Sequence, residues 1–443
     1  MRTLLLPLPA LLLGSVVHGQ VTTTPLDLSQ IDGYPYFFST PSHDVAWAGL
    51  QGVTPSPWGF IDSKIVVHTN DAGASWLIDT VPDPEDRGMM CVFARGADTA
   101  WVGLANNMNG GGAIWKTTDG GASWTQQTTT EFSTGWLDQV HFFDATDGLA
   151  IGDPNADGNW EVYTTTDGGT VWTYLGVDIT PAPLSSEYGM YNECASYGDS
   201  FWLPTSQGRV LYTTDRGASW AVSVVNSAWG YFTARFHDEL NGIAHDYYSN
   251  GPIMVTSDGG VTWTPQPITP NVDVNNISLV PGVPGAYAFK GGDPAKLYVT
   301  TDNFVSYTLI DGMNNFSLWP LHMADATIGW TAVPNLNSAN GMYKISGPLT
   351  GVGEPGSTAS TTLGVFPNPV VSGAALVTYT LAGASQVELI LRAADGHELR
   401  RLAVQGRAGG NAEVFDLRGV PGGSYLLTLQ GAQYSGTTRV VVN

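Results

Sequence analysis

Basic residues are scarce in this 443-residue chain. It contains 17 Lys and Arg against 39 Asp and Glu, and its formal net charge is −22. Phosphate-rich surfaces repel a protein of this charge, which argues against nucleic acid and anionic membranes as partners. The sequence therefore predicts no nucleic-acid partner.

Long apolar runs are missing after the first residues, and the one that exists is too short to cross a bilayer. Arg2 precedes the apolar run Leu4–Leu13, and small residues ending at Gly19 form a cleavage site before Gln20. This pattern is typical of a secretory signal peptide, which we assign to residues 1–19. We expect an exported mature protein without a transmembrane segment.

Periodicities typical of long helices are also missing. Gly (54 residues), Tyr (18) and Trp (15) are abundant instead. This composition predicts an all-β protein with many turns. The length is sufficient for two or more domains with their own hydrophobic cores.

The chain does contain a repeated octapeptide. Five close copies read TNDAGASW, TTDGGASW, TTDGGTVW, TTDRGASW and TSDGGVTW, and a sixth, divergent copy reads TTDNFVSY. Their aspartates lie 43 to 48 residues apart, at Asp71, Asp119, Asp167, Asp215, Asp258 and Asp302. Self-similarity at this period is typical of propellers and solenoids.

Each copy has the composition of a hairpin turn that its own side chains hold closed, and we call it a clasp. An apolar run precedes it and an extended segment follows. The Asp side chain accepts hydrogen bonds from N–H groups of the turn, and Gly permits the positive φ that a tight reversal needs. The final aromatic residue can pack against the sheet beneath the turn.

The clasps resemble the Asp-box, or BNR repeat, of sialidases, xyloglucanases and photosystem II stability-factor-like propellers. The resemblance covers about residues 20–347 and implies a β-propeller. In those families the box lies at the blade periphery, away from the functional face. The resemblance therefore implies a structural role for the six clasp aspartates.

A second repeated sequence pattern, which we call a phrase, indicates the number of blades. It joins a polar turn to alternating apolar residues and occurs seven times, at 42–50, 96–104, 144–152, 197–204, 238–246, 282–290 and 324–333. Seven phrases against six clasps predict a seven-bladed propeller over residues 20–347, with a last blade that lacks its clasp. We expect residues 21–28 to supply the outer strand of that blade, which would close the ring and remove exposed sheet edges.

The only two cysteines, Cys91 and Cys194, fall in the second and fourth predicted blades. Export permits a disulfide bond. Side chains so far apart around a propeller can meet only near its axis, so the sequence leaves their pairing open.

The end of the chain differs in composition and charge. Residues 348–364 are rich in Gly, Ser, Thr and Pro, which predicts a flexible linker. Residues 365–443 carry six Arg and five acidic residues, whereas residues 20–364 carry 10 basic and 34 acidic residues.

This tail resembles the type IX secretion C-terminal sorting domain in its segments FPNP (Phe366–Pro369), AADGHEL, FDLRGVPGGSYLLTL (Phe415–Leu429) and TTRVVVN. The resemblance implies a small β-sandwich over 365–443, the type IX secretion machinery as partner, and secretion across the outer membrane to an extracellular or cell-surface location. The alternative is an immunoglobulin-like carbohydrate or adhesion module.

Aromatic residues mark the segments that lead into the innermost strands of several predicted blades. Aromatic faces at a channel mouth suit stacking on sugar rings or contact with a peptide. The alternative is that these side chains fill the tapering centre of the propeller. The candidate ligand-binding residues are Tyr34, Trp136, Tyr188, Trp229 and Tyr231.

A catalytic role lacks the expected residues. The sialidase resemblance should bring an arginine triad, but residues 20–364 contain only five Arg, two of them in or beside a clasp. A glycoside hydrolase needs two carboxylates across a cleft, and acidic residues are too common here to identify such a pair. Among the acids of the predicted top loops are Asp83 and Glu187. The preferred interpretation is a non-catalytic protein that binds a glycan, peptide or protein, and the alternative is an extracellular glycoside hydrolase.

One loop has half of the pattern of a calcium site. Oxygen-bearing side chains recur at alternate positions with Gly158 at the sixth, as at the start of a calcium-binding loop. Thr164 stands where that loop has a bidentate Glu, so a structural Ca²⁺ and a plain polar turn both stay open. The candidate ligands are Asp153, Asn155, Asp157, Asn159 and Glu161, and we expect no other cofactor.

Overall fold

The computed structural model describes residues 20–23, 33–52, 55–56, 59–60, 63–106, 110–129, 132, 136–176, 181–247, 251–268, 274–292, 296–310, 320–332, 342–347, 349, 359–360, 363–371, 373–381, 384–393, 398–431 and 434–442. All regular elements in these residues are β-strands, as the composition predicted. The same residues contain no helix of the length and apolarity needed to span a membrane. They fall into two compact units, one within Val17–Thr350 and the other within Gly351–Asn443.

The described residues of the first unit form seven large, mainly antiparallel sheets, and in the first six of them four strands follow one another in chain order. The first sheet consists of β2 (Tyr34–Ser39), β3 (Ala46–Gln51), β6 (Ile65–Thr69) and β7 (Leu77–Thr80). The second consists of β8 (Gly88–Ala94), β9 (Ala100–Asn106), β10 (Gly110–Thr117) and β11 (Thr125–Gln126). The third contains β13 (Leu137–Phe142), β14 (Gly148–Pro154), β15 (Trp160–Thr165) and β16 (Val171–Tyr174). The short strand β12 (Thr128–Thr129) pairs in parallel with β16. A separate hairpin joins β4 (Pro55–Ser56) to β5 (Gly59–Phe60).

The next three sheets repeat this order. The fourth sheet consists of β17 (Ala195–Tyr197), β18 (Ser200–Pro204), β19 (Arg209–Thr213) and β20 (Ala221–Val224). The fifth consists of β21 (Phe232–Phe236), β22 (Gly242–Asp246), β23 (Ile253–Thr256) and β24 (Thr264–Gln266). The sixth consists of β25 (Val274–Leu279), β26 (Tyr287–Gly291), β27 (Lys296–Thr300) and β28 (Thr308–Leu309).

The seventh sheet takes its outer strand from the other end of the unit. It consists of β29 (Leu321–Met323), β30 (Ile328–Ala332), β31 (Met342–Ser346) and β1 (Gln20–Thr23). Strand β1 runs antiparallel to β31, with Gln20 opposite Ser346 and Thr23 opposite Tyr343. The predicted pairing of residues 21–28 with the last sheet is therefore confirmed for Val21–Thr23, and residues 24–28 lie outside the described residues.

The hydrophobic core of this unit lies between neighbouring sheets. In β3, Trp47 packs with residues of the second sheet such as Val102, whereas the adjacent Ala48 packs with residues of the seventh sheet such as Trp330. Successive side chains of a strand point to opposite faces, so both faces of the sheet are buried. Seven such clusters occur among the described residues, each joining two consecutive sheets, and one of them joins the seventh sheet to the first.

The six clasps connect the third and fourth strands of the first six sheets, and their hydrogen bonds follow one scheme. In the fifth clasp the Thr256 hydroxyl donates to Asp258 Oδ1 (2.8 Å) and accepts the N–H of Gly260 (2.9 Å). Asp258 Oδ1 also accepts the N–H of Thr262 (2.9 Å), and its Oδ2 accepts the Thr262 hydroxyl (2.6 Å). The third clasp lacks the last bond because Val171 replaces the hydroxyl residue.

Clasps also contact the preceding sheet. Trp202 Nε1 of the fourth sheet donates to the carbonyl oxygen of Gly259 in the fifth clasp (2.7 Å). Gly73 of the first clasp has φ 79°, and a Cβ atom there would lie 2.2 Å from the ring of Trp330 in the seventh sheet. A glycine is therefore required at this point both for its backbone conformation and for the close approach of the neighbouring Trp.

Arg216 of the fourth clasp makes the most extensive of these contacts. Its Nη1 donates to Asp144 and to Asp147 Oδ2 (2.7 Å) in the third sheet, and its Nε donates to Asp199 Oδ1 (2.7 Å) in the fourth. Asp144 in turn accepts the N–H groups of Thr146 and Asp147. One arginine in a turn therefore links the loops of two sheets.

The second unit contains two sheets that share one cluster of buried residues. The larger sheet orders β32 (Ala359–Ser360), β39 (Tyr434–Val442), β38 (Gly423–Gly431), β35 (Ser385–Arg392) and β36 (Glu398–Gly406), and the smaller orders β33 (Gly364–Phe366), β34 (Ala374–Leu381) and β37 (Gly409–Asp416). Val377 and Phe415 of the smaller sheet pack with Leu389, Leu427 and Val440 of the larger. The two sheets thus face each other through their apolar sides.

The clasp hydrogen bonds predict a stability effect that depends on pH. Replacing Asp258 with Ala removes three acceptor contacts, and we expect a loss of about 1–2 kcal/mol in the free energy of unfolding at pH 7. The donors, with the Thr262 hydroxyl first, lower the pKa of Asp258, so its contribution is present above pH 4 and disappears as the pH falls through the lowered pKa. Differential scanning calorimetry should show a lower Tm for Asp258→Ala at pH 7.

The exposed neighbour Ser257 supplies the matched control, because Ser257→Ala leaves the clasp bonds in place. An equal Tm for Asp258→Ala and Ser257→Ala at pH 7 would contradict a stabilising role for the clasp.

Candidate functional site

The segment of residues 181–194, between β16 and β17, connects sheets that are not neighbours. The N–H of Gly189 donates to Asp153 Oδ1 in the third sheet (2.8 Å), and the N–H of Met190 donates to the carbonyl oxygen of Pro204 in the fourth (2.9 Å). Asn192 Nδ2 donates to the carbonyl oxygen of Tyr36 in the first sheet (3.3 Å). We call residues 181–194 the crossing segment, because contacts with the first, third and fourth sheets place it across the centre of the unit.

A buried ion pair fixes the end of the crossing segment. Glu193 Oε2 accepts a hydrogen bond from Arg235 Nη2 of the fifth sheet (2.9 Å), and the two side chains are 5 % and 13 % exposed. The same oxygen accepts the Tyr247 hydroxyl (3.0 Å), and Arg235 also donates to the carbonyl oxygens of Glu193 and Ile277. Removing either partner would leave a buried charge without compensation.

Tyrosine rings surround this ion pair, and we call Tyr36, Tyr191, Tyr231 and Tyr247 the tyrosine cluster. The Tyr36 and Tyr191 ring centres lie 6.5 Å apart, and those of Tyr231 and Tyr247 lie 5.2 Å apart. Burial, followed by the nearby Glu193, raises the pKa of Tyr231 and of Tyr247 well above the ordinary tyrosine value. Tyr231 and Tyr247 are therefore neutral at physiological pH.

The structure brings two of the five predicted ligand residues to this cluster. Tyr231 is a member and is half-buried. Tyr34 lies next to it: its ring centre is 6.2 Å from that of Tyr36, and its hydroxyl donates to Gln51 Oε1 (2.8 Å). Burial, together with the neighbouring Tyr191, raises the pKa of Tyr34 to about 12.

The other three predicted ligand residues lie in different surroundings. Trp229 is 6 % exposed and packs with Phe232 and Trp202 between the fourth and fifth sheets, so it belongs to the core. Trp136 is half-buried before β13, and its carbonyl oxygen accepts the N–H of Asp153 (2.8 Å). Tyr188 is 50 % exposed on the crossing segment.

The exposed part of the crossing segment is firmly attached. Glu187, whose side chain is fully buried, forms an ion pair with Arg209 of β19 and accepts the Thr205 hydroxyl (2.5 Å). The N–H of Tyr188 donates to Ser206 Oγ (3.0 Å). Leu184, 49 % exposed, precedes this anchor. An apolar and an aromatic side chain are thus presented to solvent from a fixed backbone.

A pair of acidic groups lies beneath the same segment. Asp138, 2 % exposed, and Asp153 place their carboxyl groups in hydrogen-bond contact, with Glu161 nearby. A Cβ atom on Gly189 would lie 2.1 Å from Asp138 Oδ2, so the crossing segment covers the pair closely. Burial is the main cause that raises the pKa of Asp153 to about 6, and it also raises the pKa of Asp138 well above the ordinary value of an aspartate.

The predicted calcium ligands fall into two groups. Asp153 and Glu161 lie at the buried acid pair, whereas Asn155, Asp157 and Asn159 lie in a turn. Asp153 accepts the N–H of Gly189, and Glu161 is buried in β15. Asn155 Oδ1 accepts the N–H groups of Asp157 (3.0 Å) and Asn159 (3.1 Å), and Asp157 is exposed. Within the described residues, no three His, Cys, Asp or Glu side chains are grouped as metal ligands. Calcium binding stays a prediction.

Other candidate residues have structural partners. The Asp83 carboxylate, fully buried, is paired with Arg87 and accepts Trp115 Nε1 (2.9 Å). Cys91 and Cys194 are free thiols, and burial raises the pKa of Cys91 to about 12.

Sequence reasoning missed most of the cluster. Tyr36 and Tyr191 lie two and three residues after Tyr34 and Tyr188, which the sequence analysis proposes as ligand-binding residues. Register shifts between Pro35 and Phe37, which leaves Tyr36 as the extra residue of a bulge. Arg235 had a usable signal, because it is one of only five arginines in residues 20–364.

The buried acid pair predicts how stability changes with pH. The folded protein keeps protons on Asp138 and Asp153 at pH values where the unfolded chain has lost them. The free energy of unfolding should therefore fall as the pH rises from about 4 through 6, by roughly 1–3 kcal/mol. Asp138→Asn removes one of the two titrating carboxyl groups and should reduce this fall in urea unfolding at pH 4.5, 6 and 8, whereas the contribution of the buried Asp153 remains.

Asp157→Asn is the control, since Asp157 is exposed in the same loop. An Asp138→Asn protein with the full pH dependence of the parent would contradict this account.

No protein-family model matches the chain, and no curated protein matches it. Solved structures do. The chain is similar to YCF48 bound to D1 peptide, with 14% identity and a TM-score of 0.54 over 76% of this chain and 97% of that chain. It is also similar to YCF48 from Cyanidioschyzon merolae, with 13% identity and a TM-score of 0.54 over 74% of this chain and 99% of that chain. These likenesses establish a β-propeller fold.

Proposed function

We propose that this chain is an exported, non-catalytic β-propeller that binds a peptide, protein or glycan on the face formed by the crossing segment. The single observation that carries the proposal is the exposure of Leu184 and Tyr188 on a backbone held by Glu187–Arg209 and by Gly189–Asp153. A binding surface whose side chains are already ordered loses less entropy when a ligand arrives.

We further propose that the propeller has seven blades in a closed ring. Seven sheets and seven clusters between sheets support this count, and so does the cluster that joins the seventh sheet to the first. Pairing of β1 with β31 supports closure at the same place. The binding face is then the end of the ring opposite the clasps.

Peptides and proteins are the ligand classes with the most support. One structure that this chain resembles is a complex of YCF48 with the D1 peptide. The tyrosine cluster and Tyr188 offer apolar ring surface with polar hydroxyl groups, which suits peptide side chains and backbone.

A glycoside hydrolase is the less supported alternative. Asp138 and Asp153 have raised pKa values, which a general acid requires. Their carboxyl groups touch each other and lie under Gly189, whereas glycosidase carboxyls stand about 5–10 Å apart on either side of the substrate.

The binding proposal predicts a loss of affinity when Tyr188 is truncated. The mature protein should be screened on peptide and glycan arrays and against chromogenic glycosides, and we expect retention of a ligand without turnover. Tyr188→Ala should weaken the retained ligand about fivefold to tenfold in titration calorimetry, because an exposed aromatic anchor is lost. Trp229→Ala is unsuitable for this purpose, since Trp229 is a core residue.

Tyr197→Ala is the matched control, because Tyr197 is similarly exposed (47 %) but lies at the β17–β18 turn, close to Asp199, which accepts a hydrogen bond from Arg216 of the fourth clasp. Turnover of a glycoside that disappears in a carboxylate variant would reject the non-catalytic proposal.

For the second unit, we propose a β-sandwich that serves as a type IX secretion sorting domain, joined by a linker over 348–364. The two facing sheets and their common core support the sandwich. The resemblance of its sequence segments to that family supports the role, and with it an extracellular or cell-surface location.

Deletion of residues 365–443 tests this role. In its Gram-negative host the truncated protein should accumulate in the periplasm, because the signal for the outer-membrane step is gone. Cell fractionation and surface proteolysis measure the location, with full-length protein as control. A truncated protein that still reaches the cell surface would reject the sorting role.

A further inference from the structure

We propose that the tyrosine cluster is a subsite for a cationic side chain, a lysine of an extended peptide partner, with its ammonium group held against the rings of Tyr191 and Tyr231. This inference rests on the proposed function, because it assigns a ligand chemistry to the same face. It goes beyond that function in naming the charge of the ligand and the residues that select it.

The first support is the arrangement of the rings. They come from three separate parts of the unit: Tyr36 from β2, Tyr191 from the crossing segment, and Tyr231 and Tyr247 from the two ends of the β21–β22 hairpin. The planes of Tyr36 and Tyr191 are inclined by 44°, and those of Tyr231 and Tyr247 by 45°. Cations are attracted to aromatic ring faces, and several rings around one point add their attractions.

Inclined rings also argue against a sugar as the occupant. A pyranose stacks on a flat aromatic face, and a long glycan needs coplanar platforms. The ring planes here differ by 44° or more in the Tyr36–Tyr191 and Tyr34–Tyr36 pairs, the latter reaching 86°. Inclined rings fit a compact head group better than a flat sugar ring.

The second support is the charge beneath the rings. The Tyr247 hydroxyl donates to Glu193 Oε2 (3.0 Å), and a phenol that donates to a carboxylate carries more electron density in its ring. Arg235 is already paired with Glu193 and Arg209 with Glu187, so the two arginines of this face are both neutralised. An arriving cation therefore meets aromatic rings, with the electron-rich Tyr247 ring among them, beside two compensated arginines.

The third support is the field of the whole unit. Residues 20–364 carry 34 acidic and 10 basic residues, and this surplus raises the local concentration of cationic partners at every part of the surface. The surplus brings a cationic peptide to the protein, whereas the rings determine where its side chain comes to rest.

Accessibility agrees with this assignment. Tyr36 and Tyr247 are buried, whereas Tyr191 and Tyr231 retain partial exposure. Burial also holds the pKa of Tyr231 well above its ordinary value, so the hydroxyl stays protonated across the neutral range. A lysine would reach Tyr191 and Tyr231 first, with the two buried rings behind them.

The experiment compares matched peptides on the full mature protein. A fluorescein-labelled peptide of alternating Gly and Lys is titrated by anisotropy at about 50 mM salt, beside its norleucine and trimethyl-lysine counterparts. We expect the lysine and trimethyl-lysine peptides to bind about 5- to 20-fold more tightly than the norleucine peptide, since ring faces attract a cation and need no N–H donor.

The variants separate the rings from general electrostatics. Tyr191→Leu and Tyr231→Leu leave the net charge unchanged and should each weaken binding of the lysine peptide about 3- to 10-fold. Tyr191→Phe and Tyr231→Phe keep a ring face and should retain most of the affinity. Tyr197→Leu removes an exposed tyrosine elsewhere and should change nothing.

Each outcome has one meaning, provided that circular dichroism confirms a folded protein for every variant. Equal affinity for lysine and norleucine peptides, or equal loss in Tyr197→Leu and the two cluster variants, overturns the inference. If neutral peptides or glycans bind through Tyr188 without any preference for lysine, the cationic subsite is rejected and the binding function remains. If no ligand binds the face at all, both proposals fail.

Discussion

A sheet with two apolar faces cannot be stable by itself, and this constraint governs the whole first unit. Trp47 and Ala48 are adjacent in β3, yet one is buried against the second sheet and the other against the seventh. Every sheet therefore needs a neighbour on both sides, which only a ring supplies without leaving an end. The clasps depend on the same packing, because Gly73 and Gly259 fit closely only when Trp330 and Trp202 of the preceding sheets lie against them.

The crossing segment contacts the first, third and fourth sheets and so lies across the centre of the propeller. Its attachments use the strongest interactions available in an apolar interior: Glu187 with Arg209, and Glu193 with Arg235. Buried charges of this kind are tolerated only in pairs. The polar groups that could have made a reactive centre thus serve to hold a loop.

Periodic features of the fold were predictable from sequence, whereas the site depended on contacts that no local pattern encodes. The spacing of Asp71 to Asp302 located six hairpin turns. Trp229 was a candidate ligand residue in the sequence analysis but is buried in the structure. The sequence of a loop next to a strand does not show whether an aromatic side chain points into the core. The chain's sequence could not reveal that Asn192 reaches Tyr36, 156 residues earlier in the chain, or that a bulge redirects Tyr36.

The pairing of β1 with β31 has a consequence for the order of folding. Gln20 lies opposite Ser346, so the ring has no complete last sheet until more than 300 residues have been made. A chain that is made with its N-terminus first must leave β1 unpaired while the other sheets form. Its unsatisfied backbone groups would then offer an edge to other chains. Strand β1 is thus made first and pairs last, because its partner β31 is complete only when the chain has been made as far as Ser346.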